Sequence, residues 1–147
     1  KYAVFNQTVF YYKFNLQNIS ELNWYGTRCC KKKYLISPQK LRNEKIKQYP
    51  FWRLDKIHKK KFQVIEDGGW HFTYIKSLTD IKNKIKSFAH AEFNTKKYLD
   101  DDYLEEKINN GQDLFERNFK YKKVEINQKN LPNYLVNNLK KYSNWLL

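Results

Sequence analysis

The apolar positions of this 147-residue chain change period along its length. Val4, Phe10, Tyr12 and Phe14 share one parity, the two-residue alternation of a half-buried strand, and predict an extended segment over residues 8–16. Residues 20–36 keep no period, are broken at Gly26, and read as irregular. Ser37 before Pro38 predicts a helix start, because the hydroxyl can accept an early helical N–H and proline's fixed φ suits the first turn. Leu41 and Ile46 give that helix a weak apolar face, and Tyr49-Pro50 should end it.

Phe62-Gln63-Val64-Ile65 predicts a short strand, Asp67-Gly68-Gly69 a turn, and residues 70–75 a second strand. Alternation would put Trp70, Phe72 and Tyr74 on one face and His71, Thr73 and Ile75 on the other. Leu78, Ile81, Ile85 and Phe88 recur at helical steps and predict a helix over 79–88 with those four residues buried. Asp102 and Glu105 have capping-box spacing, and Gly111 sits where a left-handed C-cap is wanted, so a further helix is expected over 102–110. Residues 121–126 read as a strand. Leu131-Pro132 opens a last helix with Leu135, Leu139 and Tyr142 on one face. Strands alternating with helices argue for an α/β layered fold, and the length for a single domain over 1–147.

Composition narrows the function. The chain is 41% hydrophobic and 18% aromatic, which is enough for a core, and much of that content is Tyr, Phe and Trp, residues that stack on sugars as well as pack. Twenty-nine Lys and Arg against 15 Asp and Glu give a net charge of +14, a field that attracts polyanions. The lysines are spread out, with short runs only at Lys31-Lys32-Lys33 and Lys59-Lys60-Lys61, and no nucleic-acid motif accompanies them. A solvated basic face is therefore expected, with no specific nucleic acid as partner. A basic, non-catalytic module for nucleic acid or an anionic surface stands as the rival reading. Cys29 and Cys30 are adjacent, which disfavours a disulfide between them, and no zinc spacing exists. No apolar run is long enough to span a bilayer, so a membrane anchor is not expected in this chain. With Met 0 the chain reads as part of a longer one.

Three segments carry candidate chemistry. His71 follows Gly68-Gly69-Trp70 and could ligate a metal or donate to a phosphate, or simply hydrogen-bond to backbone. His90 and Glu92 could share one side of an extended segment, with Glu92 as a base; equally, His90 could favour a helix C-terminus and Glu92 be a surface carboxylate. Asp113 and Arg117 could bind a phosphate or bridge to each other at helical spacing. Asp67 beside the glycines is a base candidate that competes with a plain solvated turn, and Trp24, Trp70 and Tyr74 could stack on a sugar or uracil or pack in the core. His71, His90 and Glu92 are expected to converge on one cleft.

These segments resemble the later half of glycosyltransferase family 17, the β-1,4-mannosyl-glycoprotein 4-β-N-acetylglucosaminyltransferases. Tyr11-Tyr12-Lys13-Phe14-Asn15, Trp24-Tyr25-Gly26-Thr27-Arg28 and Ser37-Pro38-Gln39-Lys40-Leu41-Arg42 extend the similarity, so that it covers about residues 1–120. The resemblance implies the C-terminal part of a GT-A-like, Rossmann-like domain. It implies inverting transfer of N-acetylglucosamine from UDP-GlcNAc to a mannose or other sugar acceptor, with a divalent cation, Mn2+ or Mg2+, as cofactor. On this reading Glu92, His90 and Asp67 are the catalytic candidates, Trp70, His71, Tyr74, Asp113 and Arg117 the substrate contacts, and His71 the metal ligand. The compartment would be the Golgi lumen for a eukaryotic member and the cytoplasm for a bacterial or viral one. The family's acidic Asp-Val-Asp-Glu-type cluster has no counterpart here, which keeps open an inactive, truncated remnant.

Overall fold

The structure is a computed structural model that describes residues 2–44, 46, 52, 62–87 and 91–147. In chain order the elements are β1 (Tyr2–Tyr11), β2 (Leu16–Asn18), β3 (Trp24–Cys30), α1 (Pro38–Asn43), β4 (Phe62–Ile65), β5 (Trp70–Thr73), α2 (Leu78–Lys86), α3 (Asp101–Asn109), β6 (Tyr121–Lys123) and α4 (Asn133–Val136). Short 3-10 turns lie at Lys32–Tyr34, Ala91–Phe93, Lys97–Leu99 and Leu139–Trp145. The fold is mixed α/β. It divides into two compact units, Lys1–Gln7 with Asn23–Gly69, and Thr8–Leu22 with Trp70–Leu147.

In the first unit the start of β1 pairs antiparallel with β3, from Tyr2↔Cys30 to Phe5↔Thr27, and parallel with β4, from Tyr2↔Phe62 to Phe5↔Ile65. Val4, paired on both sides, is fully buried. β3 overturns the expectation of an irregular 20–36. Gly26 does not break the strand, because the Trp24 ring lies where a Cβ at Gly26 would stand, so the glycine makes room for a ring packed on the backbone. The Asp67-Gly68-Gly69 turn forms as expected, with φ of 50° at Asp67 and 106° at Gly69. Gly68 donates to the Asn6 carbonyl at 2.7 Å, and a Cβ there would sit 2.7 Å from that of Phe5.

Helix α1 starts as predicted, Ser37 Oγ accepting the Lys40 N–H at 3.1 Å. It ends at Asn43, so Ile46 is not on it, and it buries no residue. Its C-terminal carbonyls are met by one guanidinium: Arg28 Nη1 donates to the carbonyls of Leu41, Arg42 and Glu44 at 3.1, 2.5 and 2.6 Å. Tyr49-Pro50 lies outside the described residues.

In the second unit the end of β1 pairs antiparallel with β2 and parallel with β5, from Thr8↔Trp70 to Tyr11↔Thr73, while β2 pairs antiparallel with β6. The predicted strand over 8–16 is two: Tyr12 takes a φ of 61°, the chain turns, and β2 begins at Leu16. The shared parity of Phe14 is therefore coincidental. Likewise β5 ends at Thr73 because Tyr74 has a φ of 55°, and the predicted common face is lost: Tyr74 is buried while Trp70 is exposed.

Helix α2 is capped by Ser77, which accepts the Asp80 N–H, and buries Ile81 and Ile85 as predicted. Leu78 is half-buried, and Phe88 lies outside the described residues. Helix α3 starts one residue earlier than expected, and its cap is Asp100, which accepts from Tyr103 N at 2.9 Å, rather than Asp102. Its C-terminus matches the glycine signal: Gly111 has a φ of 58°, and Gly111 N and Gln112 N donate to the carbonyls of Ile108 and Lys107. The expected strand over 121–126 stops at Lys123. The expected last helix is broken into α4 and a 3-10 turn at Asn138, whose φ of -127° is not helical. Phe10, Leu131 and Leu135 form a buried cluster under Phe14, Phe72 and Tyr142.

Candidate functional site

In the second unit the Tyr11-Tyr12 pair at the end of β1, Tyr74 after β5 and Tyr121 opening β6 gather their rings. Centroids are 6.0 Å apart for the stacked Tyr11–Tyr74 pair, 5.3 Å for Tyr11–Tyr121 and 5.7 Å for Tyr12–Tyr121. Asp113, 5% exposed, anchors the segment that closes on them. It accepts the Arg117 backbone N–H at 2.6 Å, Arg117 Nε at 3.0 Å and Nη2 at 2.7 Å, and the Tyr121 hydroxyl at 3.3 Å. The bridge was one of the two sequence readings, but it does not form on a helix. Glu116 and Asn118 on either side of Arg117 have left-handed φ values of 55° and 63°, so the segment is a tight turn held by the carboxylate.

The electrostatics follow from burial. Burial opposes the Asp113 charge, but the hydrogen bonds from Arg117 outweigh it and hold the carboxyl below its ordinary range. Burial also disfavours the Arg117 cation, and Asp113 raises its proton affinity nonetheless. The phenols of Tyr12 and Tyr121 are pushed up by burial, and that of Tyr74 to about 12, so all three stay neutral and act as donors or acceptors without charge. Arg117 lies over the Phe119 ring at 4.3 Å, which leaves it a fixed, partly exposed cation.

Two clefts flank this cluster. One, of about 380 Å³, is lined by Tyr12, Lys13, Tyr74, Lys76, Glu105 and Trp145 among others. The other, of about 580 Å³, is lined by Lys107, Gln112, Asp113, Asn118, Phe119 and Tyr121 among others.

The structure thus brings together three of the predicted residues, Tyr74, Asp113 and Arg117. Trp70 heads β5 and its indole donates to the Asn130 carbonyl at 2.7 Å. His71 is half-buried on β5. Burial, then the Lys84 ammonium, depress its proton affinity, so it is neutral at pH 7. Glu92 is exposed in the 3-10 turn Ala91–Phe93, and neither His71 nor Glu92 lines either cleft. His90 lies outside the described residues. Asp67 is exposed and belongs to the first unit. Sequence reasoning missed Tyr121 and Lys84 altogether; no spacing along the chain links residue 121 to residues 11 and 12.

Residues 32–147, well over half the chain, match the family model described as Glycosyltransferase family 17. The chain belongs to glycosyltransferase family 17. Comparison with curated proteins and with solved structures finds no match. The family 17 match starts after the Tyr11–Asn15 and Trp24–Arg28 segments and runs on to Leu147, so its limits differ from the 1–120 read from motifs. Both clefts include residues of the matched range.

A family 17 transferase acts on a sugar donor and a sugar acceptor. Among the described residues no group of three or more His, Cys, Asp or Glu could hold a metal ion, so the implied divalent cation finds no all-protein site there. His71, with a lysine ammonium close enough to depress its proton affinity, is a poor place for a second cation. Among the described residues, no helix is long and apolar enough to cross a membrane.

Proposed function

We propose that the protein transfers N-acetylglucosamine from UDP-GlcNAc, with inversion, to a mannose or other sugar acceptor in glycan synthesis. The observation that carries this reading is the family 17 match over residues 32–147. The second unit supports it with clefts that mix neutral phenols, rings and cations, a lining suited to sugars and their phosphates.

Within this reading Arg117, already fixed by Asp113 and Phe119, offers a preorganised charge to a diphosphate. Tyr74 contributes a neutral hydroxyl and a ring, and Trp70 an aromatic edge. Neutral His71 donates a hydrogen bond. The base that takes the acceptor proton is a carboxylate, Glu92 or Asp67, with His90 as a further candidate. The GT-A-like, Rossmann-like domain belongs to this proposal too, and so does Mn2+ or Mg2+ as a companion of the donor diphosphate.

The test is a donor panel. Purified protein incubated with UDP-GlcNAc, UDP-glucose, UDP-galactose and GDP-mannose, with mannoside acceptors, should release nucleotide fastest from UDP-GlcNAc and yield a β-linked product by NMR. Preference for another donor, or an α-linked product, would overturn the corresponding part. No turnover of any sugar nucleotide would favour the non-catalytic reading.

A further inference from the structure

The smaller cleft sets one carboxylate beside two ammonium groups. Glu105 projects from the exposed side of α3, and among the described residues its carboxylate enters no hydrogen bond or ion pair. Asn109, one turn further along α3, lines the same cleft. Opposite in character are Lys13, whose ammonium already donates to the Asn144 carbonyl at 2.9 Å, and Lys76. Trp145 adds an indole, and its backbone is fixed because its carbonyl accepts the Phe14 N–H at 2.8 Å. The cleft therefore offers an acceptor, donors and an amide that is both, around an aromatic ring.

Sugar hydroxyls both give and accept hydrogen bonds, and a pyranose presents a C–H face to a ring. A nucleoside diphosphate would meet Lys13 and Lys76 but also the Glu105 carboxylate, whereas a neutral saccharide uses all three without repulsion. The volume of about 380 Å³ lies within the range of roughly 300–1,000 Å³ of small-molecule sites.

We infer that this cleft is the subsite for the neutral acceptor saccharide, with Trp145 as its stacking platform and Glu105 and Asn109 binding its hydroxyls. The assignment of the sugar as acceptor rests on the transferase reading. The cleft as a saccharide site rests on its lining alone.

Binding of methyl β-D-mannopyranoside, methyl β-D-galactopyranoside and uridine diphosphate to the purified protein tests it. At least one glycoside should bind. Glu105→Gln, a change at an exposed position, should weaken that glycoside at least fivefold with an unchanged melting temperature. Trp145→Ala should weaken it at least tenfold, and uridine diphosphate should bind both variants within twofold of the parent. No glycoside binding, glycoside binding indifferent to Glu105→Gln, or loss of uridine diphosphate in the same variants would overturn the inference. Glycoside binding that depends on Glu105 in a protein that consumes no sugar nucleotide would leave the saccharide site standing and remove the transferase reading.

Discussion

Helices α1 and α3 are held by opposite means. Helix α3 buries Leu104 completely and is capped at both ends by its own chain, by Asp100 and by the Gly111 turn. Helix α1 buries nothing; it is tied at its start by Ser37 and at its end by the Arg28 guanidinium. The same contrast separates the Asp113 turn, sealed in the second unit, from the half-exposed Arg28 clamp in the first. Where a polar group is buried, its loss strands a partner out of water. Where it is exposed, water replaces much of what is lost.

The largest effect is expected at Asp113. Asp113→Ala would leave the Arg117 cation without its partner and the Tyr121 hydroxyl without its acceptor. Breaking a buried ion pair costs roughly 3–5 kcal/mol. Because the Arg117 side chain is 36% exposed, water should moderate this toward about 3 kcal/mol. Urea unfolding checks it, and a loss under 1 kcal/mol would show that the turn does not depend on the pair. Acid should act in the same direction. A carboxyl held below its ordinary 3.8 contributes stability that is complete above that pH and is lost as pH falls through the lower folded value.

Arg28→Ala comes next, at about 1.5–3 kcal/mol, the range for hydrogen bonds to a charged group. Its effect should be local. Amide exchange in α1 should quicken while Leu104 and Ile81 keep their protection. Arg28→Lys should rescue little, since the lysine side chain is one bond shorter and does not bring its ammonium to the place of Nη1, where the three carbonyls converge. Equal acceleration in α3 would erase the contrast between the two helices.

This contrast also explains what was legible in the sequence. The Ile81 and Ile85 positions of the α2 stripe, the Ser37 and Gly111 caps, strand β4 and the Gly68-Gly69 turn are local signals, and each forms. The misses are places where distant residues decide. β3 forms because β1 pairs with it and Trp24 covers Gly26. Tyr12 and Tyr74 leave the strand conformation at residues that alternation alone would keep in it. Of the site, Asp113 and Arg117 were visible through their spacing, but Tyr121 enters only through the β2–β6 pairing, which places Asn18 opposite it.

The smallest expected effect concerns Lys84, which joins the ring cluster to His71. Its ammonium sits 3.8 Å from the Tyr74 ring centroid and donates to Thr73 Oγ1 at 3.0 Å. Lys84→Met keeps the apolar stem and removes the charge, so the loss should be that of a cation–π contact and one hydrogen bond, about 1 kcal/mol. The sharper readout is His71 itself. Burial is the larger cause of its depressed proton affinity and Lys84 the smaller. In the Met variant an NMR titration should therefore move His71 upward, toward 6.5 without reaching it. The sign of the linked stability follows. With its folded value depressed, His71 contributes stability present above pH 6.5 and lost as pH falls toward the folded value, because the unfolded chain takes up the proton first. That loss should shrink in the variant. An unmoved titration would mean that burial alone sets the imidazole, and a full return to 6.5 would mean that the lysine, and not the packing around β5, keeps His71 neutral.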